Sequence, residues 1–323
     1  MLKNQDLPRP SRLALSKQSL LDELARVDSL SSSRDRVLLM ETQLRQRISS
    51  HVATLPPESS TLRKFNTNPF VLMFYAKQKG FHYVSEIEKA ILPAKLFSSM
   101  ETSAGRMVQD IVLSAYGWQC VPSKMQSASS IIDGRKIDGE ILKLATIKSG
   151  PRCLNDEMSK DLAADIVENA KVWADEAGVD HVDFTYGVLY GTPKQSNKKD
   201  WHILRNIVEM TGSRFVIEHP RQKWNCSFKT RGLQVDVAVR IGIDWWTYLG
   251  GPMAFMELIC SLIRACVSPA PTAANNVQYV ISDLKDIVAL DTIPKGYNVS
   301  LLQRSQLEWL FFLASHYCDT ITN

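Results

Sequence analysis

The sequence has no long uninterrupted apolar run. Its most hydrophobic stretch, Trp245 to Val267, is broken by Gly250, Gly251, Pro252, Glu257 and Arg264. A continuous span of about 20 apolar residues is therefore missing, and no membrane segment is expected. Met1 to Pro10 is polar and lacks the apolar centre of a secretory signal. Cysteine is sparse: Cys120, Cys153, Cys226, Cys260, Cys266 and Cys318 are scattered, with no CxxC and no His/Cys spacing that suits zinc. Reduced thiols in a cytoplasmic protein are the expectation. No Gly-rich phosphate loop is present, so no nucleotide cofactor is expected, and the six histidines form no HNH-like cluster. Neither sign of charge dominates, since 38 basic and 34 acidic residues leave a net charge of +4. That balance permits nucleic-acid binding without requiring it. There is no internal repeat and no low-complexity tract.

What is present is an ordinary globular composition. Hydrophobic residues make up 45% and charged residues 22% of 323 positions, enough for a sizeable core and about two domains or one large one. Residues 1–60 read as helical, with Ser16 to Val27 and Arg34 to Val52 separated by a Ser-rich turn at Ser29 to Ser33. Apolar positions predict a helix over Ser103 to Tyr116, stopped by Gly117. Strand-like runs follow at Gln119 to Val121, Ser130 to Ile137 and Ile141 to Lys148. Then come a long helix from Asp156 to Ala177, the strand His181 to Tyr190, a helix over Asp200 to Met210 and a strand over Arg214 to Glu218. This order predicts an α/β layout with one sheet between helices. Beyond Gly251 the chain again reads as helical, through Ala254 to Val267, Val277 to Leu290 and Leu301 to Cys318. The expected organisation is a helical accessory region over 1–60, an α/β core over 61–250 and a helical region over 251–323 suited to dimerisation.

The segment from Ser130 to Lys148 carries the chemistry. Asp138-Gly139 between two strand-like runs is a strong hairpin signal, because glycine accepts the positive φ of a tight turn. Folding the chain about Asp138 to Glu140 brings Asp133 opposite the region of Thr146 to Lys148. Thr146 and Lys148 lie two apart and share one face of their strand. A carboxylate and a lysine thus converge at one end of a hairpin. Choosing Asp138 as the active acid, ten residues before Lys148, would force the turn into Leu142 to Ala145, which contains no turn residue.

That convergence resembles the PD-(D/E)XK nuclease core. Residues from about Asn66 to Gly251 further resemble type II restriction endonucleases, particularly those that read interrupted GG/CC palindromes. The stretches that carry the resemblance are Asn68-Pro-Phe, Ala104-Gly-Arg-Met-Val-Gln-Asp110, Ile132-Asp133, Ile147-Lys-Ser-Gly150, Gly187-Val-Leu-Tyr-Gly191, Ile203-Leu-Arg205 and Trp245-Trp246. The resemblance implies a mixed sheet flanked by helices, with helical N- and C-terminal additions. It implies magnesium held by Asp133, by the Ile147 carbonyl and by a second acid, with Lys148 at the reacting phosphate. Thr146 stands where the family's second acid, two residues before the lysine, is expected. A neutral hydroxyl is a poor substitute for a charged oxygen on a hard cation, so the second carboxylate must come from elsewhere. Asp110 on the preceding helix is one candidate, although it also suits an i,i+4 pair with Arg106. Asp161 and Asp165 on the following helix are others, with Glu168 farther along it.

Two basic stretches suit phosphate contacts and base reading: Lys194, Lys198, Lys199 and Arg205 in the first, and Arg214, Arg221, Lys223, Lys229 and Arg231 in the second. The expected protein is a magnesium-dependent type II deoxyribonuclease of a restriction-modification system. It would act on a palindromic site in double-stranded DNA as a homodimer, because a two-fold protein on two-fold DNA places one active site on each strand. The rivals are a non-catalytic DNA-binding or scaffold protein on a decayed nuclease fold, which Thr146 favours, and a repair or structure-specific nuclease.

Overall fold

The computed structural model describes residues 12–55, 61, 69–80, 82–122, 131–218, 223–269 and 279–323. Strand β1 (Ala14–Ser16) leads into helices α1 (Lys17–Ser29) and α2 (Ser31–Ala53). Only Leu30 separates the two helices: Ser31 to Ser33, read from sequence as a turn, begin the second one. Helix α3 (Pro69–Lys79) and the long α4 (Ser85–Ala115) follow. The predicted Ser103 start of α4 is too late by five turns. Pro93 lies inside the helix, where its missing N–H and the clash of its ring with the carbonyl four residues back cost about 3 kcal/mol, which the remaining turns of this 31-residue helix offset.

The sheet is built from β2 (Gln119–Cys120), β3 (Gly134–Asp138), β4 (Ile141–Lys148), β5 (His181–Val188), β6 (Arg214–Glu218), β7 (Lys223–Thr230) and β8 (Leu233–Ile241). Their order is β2-β3-β4-β5-β8-β7-β6. The central strands β4, β5 and β8 are parallel and the flanking pairs antiparallel. Helix α5 (Asp156–Ala177) links β4 to β5, and α6 (Lys199–Thr211) follows β5. The β7–β8 hairpin occupies a stretch that sequence reading left as basic loops and unassigned chain.

Parallel strands need helices on both faces, and β4 and β5 read accordingly. Leu142 and Leu144 of β4, with Val182, Phe184, Tyr186 and Val188 of β5, pack with Leu162, Ile166 and Trp173 of α5 and Ile203 and Ile207 of α6. Ala145 and Ile147 face the opposite core. That core is shared by α1, α2, the end of α4, α7 (Ile243–Gly250), α8 (Ala254–Cys266) and α10 (Leu307–Ala314), the last two preceding and following the short α9 (Leu284–Val288). Trp245 lies so close to β5 that a Cβ on Gly187 would come within 2.5 Å of its ring, which requires glycine there. Arg36 of α2 grips the fully buried Glu257 of α8 at 2.7 and 2.9 Å, and the Tyr116 hydroxyl donates to the same carboxylate. A parallel pair of β1 with β9 (Thr320–Thr322) joins the two ends of the described chain.

The Trp245 to Val267 stretch forms α7 and α8, bent by 103° where glycine and proline interrupt it, and no single described helix is long and apolar enough to cross a membrane. Two C-terminal expectations need correction. Only Leu284–Val288 is helical in the described part of the predicted Val277 to Leu290 helix. Leu301 to Cys318 is a short α10 between two 3-10 turns.

Candidate active site

Gly139 takes a φ of +60° in the turn, and β3 and β4 pair outward from Asp138↔Ile141 to Gly134↔Ala145. One residue further, Asp133 lies across from Thr146, the register expected from the Asp-Gly turn. The Asp133 amide donates to the Ala145 carbonyl at 2.8 Å. Its carboxylate turns back to accept from the Ile147 amide at 2.7 Å. Strand β3 has ended here, so this carboxylate satisfies an amide that the ladder would otherwise leave open. A strand residue presents its N–H and C=O to the same side, so the Ile147 carbonyl is directed to the side that Asp133 occupies. Asp138, by contrast, is exposed and ion-paired with Lys143 at 2.5 Å.

Lys148 is the last residue of β4 and half-buried, and its ammonium makes no hydrogen bond or ion pair among the described residues. Thr146 is buried and its hydroxyl donates to the Ile131 carbonyl. It therefore fixes the chain entering Asp133, with its proton already committed.

Helix α4 crosses this end of the hairpin. A Cβ on Gly105 would lie 2.9 Å from that of Ser149, and one on Gly134 would meet Leu113. Asp110 sits between these two contacts. Its carboxylate pairs at 3.5 Å with Arg47 of α2, not with Arg106 as the helical spacing suggested. Arg47, Arg106, Asp110, Ser114 and Cys120 line a cleft of about 500 Å³. Cys120 is opposite Gly134 in the β2–β3 pair. Burial raises its thiol pKa, the negative charge of Asp110 and then of Asp133 add to the rise, and Arg47 opposes them. Asp110 and Asp133 thus act on one neighbourhood.

Asp161, Asp165 and Glu168 instead form an acidic face of α5. Partial burial raises the Asp165 pKa, and its two acidic neighbours raise it further. No hydrogen bond or ion pair joins these three to the hairpin among the described residues. Nor does any described group of three His, Cys, Asp or Glu side chains have the arrangement of a metal site. Magnesium asks for less, commonly one or two carboxylates with water and substrate phosphates completing the shell. Asp133, the Ile147 carbonyl and Asp110 are oxygen donors of the kind that such a cation prefers.

The loops after β4 and β5 lie together. Arg152 donates to the Gln195 carbonyl at 3.0 Å, and Asn197 donates to the Leu154 carbonyl at 2.9 Å. Lys194 and Lys198 are exposed on this pair of loops and uncommitted among the described residues. Lys199 differs: its ammonium is tied to Asp156 at 2.6 Å, and with His202 it lowers the Asp156 pKa. Arg205 lies half-buried on α6, 4.0 Å from Glu209. Arg231 occupies the β7–β8 turn beside Leu233. Since Gln234 pairs with His181 while Ile241 pairs with Val188, that turn is at the other end of the sheet from Lys148, roughly 25 Å away along β8. Arg221 lies outside the described residues. Sequence reading also missed Arg47, whose signal was only its place on the polar side of α2.

A mixed sheet flanked by helices, with an acid-bearing hairpin at the end of its central parallel strands, is a restriction-endonuclease-like fold. Residues 59–219, just under half of the chain, match the family model described as Type II restriction endonuclease EcoO109I. The match supports a type II restriction endonuclease and includes Asp110, Asp133, Thr146, Lys148 and both loops. No curated protein matches the chain.

Proposed function

We propose that this protein is a magnesium-dependent type II endonuclease that cuts a palindromic site in double-stranded DNA as a homodimer, within a restriction-modification system. The observation that carries the reading is the hairpin end: the Asp133 carboxylate held against Ile147, with an uncommitted Lys148 one residue on. Asp133, Asp110 and the Ile147 carbonyl would hold the cation, which when bound polarises the phosphate and acidifies water. Asp133 presents a fixed negative oxygen because the Ile147 amide orients it. Lys148 places a positive charge where the phosphoryl oxygens gain negative charge during in-line attack, and being half-buried it acts with reduced solvent screening. Asp110 becomes available when Arg47 turns from it to a backbone phosphate. Lys194 and Lys198 contact phosphates beside the scissile bond and fix the register of the duplex.

Thr146 in place of an acid supports a second reading, a DNA-binding protein on a nuclease fold without catalysis. Cleavage by the wild type separates the two, and Lys148→Ala then tests the site. In an enzyme it abolishes cleavage and leaves affinity for the DNA within about tenfold, or ~1.4 kcal/mol. A wild-type protein that binds DNA and never cuts it establishes the binding module, and wild-type cleavage by the variant removes Lys148 from the site.

A further inference from the structure

The surface of α3 and of the first half of α4 is unlike the rest of the molecule. Seven of the nineteen large hydrophobic side chains that are exposed among the described residues come from these helices and the link between them: Val71, Met73, Phe74, Tyr83, Val84, Leu96 and Phe97. Val71 to Tyr75 are five consecutive apolar or aromatic residues, so at helical spacing they surround α3 and no single neighbour can bury them all. Phe74, Tyr83 and Phe97 are each more than 70% exposed. These three rings alone present roughly 450 Å². With the four aliphatic neighbours the exposed apolar area of these segments sums to the order of 800 Å², comparable to one side of a standard interface.

We infer that α3 and the first half of α4 form the homodimer interface, with α3 of each copy on α4 of the other. This locates the dimer that the proposed function requires and rests on that reading. The apolar faces of the C-terminal helices, the region singled out from sequence for dimerisation, are spent in the shared core with α1 and α2. Charge agrees with a second copy as the occupant. Lys77 lies one turn from Phe74 and Glu101 one turn from Phe97, both exposed and uncommitted among the described residues. A two-fold contact that sets Phe74 against the partner copy's Phe97 brings the lysine of one copy to the acid of the other, twice. The interface also connects to the active site through one rigid element, because Gly105, against Ser149, is about 12 Å along α4 from Phe97. Dimerisation here fixes the spacing of the two hairpin ends on the duplex.

The test is sedimentation equilibrium of the full chain at micromolar concentration, with cleavage assayed in parallel. The wild type is expected at twice 36.4 kDa. Phe74→Glu and Phe97→Glu, at exposed positions where each protomer keeps its fold by circular dichroism, should each shift it to monomer. Lys77→Glu and Glu101→Lys should each weaken self-association at least tenfold, and the double reversal should restore it. A monomeric wild type, a dimer that survives both glutamate variants, or a wild-type monomer that binds anionic vesicles through these residues overturns the inference. A monomer that still cuts DNA overturns it while sparing the nuclease reading; a dimer that never cuts does the reverse.

Discussion

Asp133 does two things in this structure, and two substitutions separate them. Its carboxylate accepts from the buried Ile147 amide at 2.7 Å, and it is the acid proposed to anchor the cation. Asp133→Ala leaves that amide without a partner, at a cost of ~1–3 kcal/mol. Asp133→Asn keeps an oxygen on the amide and loses only the assistance of the charge, about half of the bond's worth, or ~1 kcal/mol. The expected order of thermal stability is therefore wild type, Asn, Ala. Cleavage does not follow that order, because both variants lack the charge a hard cation requires, and both should fall by at least ~10²-fold. Isothermal titration with magnesium should lose its binding signal in both. Asp138→Asn is the control: its exposed carboxylate serves only the Lys143 pair, and Asn-Gly forms the same turn. Full cleavage by a folded Asp133→Asn protein, or loss of cleavage in Asp138→Asn, refutes the reasoning.

Changing Lys194 and Lys198 together to Gln should lower the slope of log affinity against log salt by about 0.9 per lost phosphate contact, ~1.8 in all; Lys199→Gln should add nothing, because that ammonium is held by Asp156. An unchanged slope in the double variant returns the loop to plain solvated surface. Asp200 gives a pH dependence. Burial raises its pKa to about 6, against the opposing bonds from Ser196 and the Trp201 amide. The folded protein thus keeps a proton that the unfolded chain releases near pH 4, so this group's contribution to stability falls as pH rises through about 4 to 6, by up to ~3 kcal/mol. Asp200→Asn should raise the unfolding midpoint at pH 7 to 8 and leave it nearly unchanged at pH 4, and an equal shift at both pH values contradicts the assignment.

The hairpin was legible because its information is local. Asp138-Gly139 fixes the turn, strand periodicity fixes which side chains share a face, and together they set Asp133 against Thr146. Helix α5 and strand β5 were equally plain, bounded by Asn155 and Gly178 caps and by a run of apolar β-formers. Contacts between distant segments were not legible. Nothing in the sequence of α2 reveals that Arg47 reaches Asp110, and the i,i+4 spacing of Arg106 pointed to the wrong partner. The β7–β8 hairpin was missed because lysine and arginine at its ends outweighed the alternation in Leu233 to Ile241, although its buried and half-buried residues do alternate at the start of that strand. Arg231 was for that reason read as a DNA-contacting loop residue, although its turn lies at the far end of the sheet from Lys148. The early start of α4 was hidden by Pro93, which a long helix tolerates.

The activity proposed for this chain is cleavage of DNA at a specific sequence. Incubating purified full-length protein with a supercoiled plasmid and magnesium tests it most directly. A reproducible set of discrete fragments is expected, abolished by chelation and by Lys148→Ala. A smear or nicking without fixed ends would mark a less specific nuclease, and plasmid left intact across a range of divalent cations would contradict catalysis altogether.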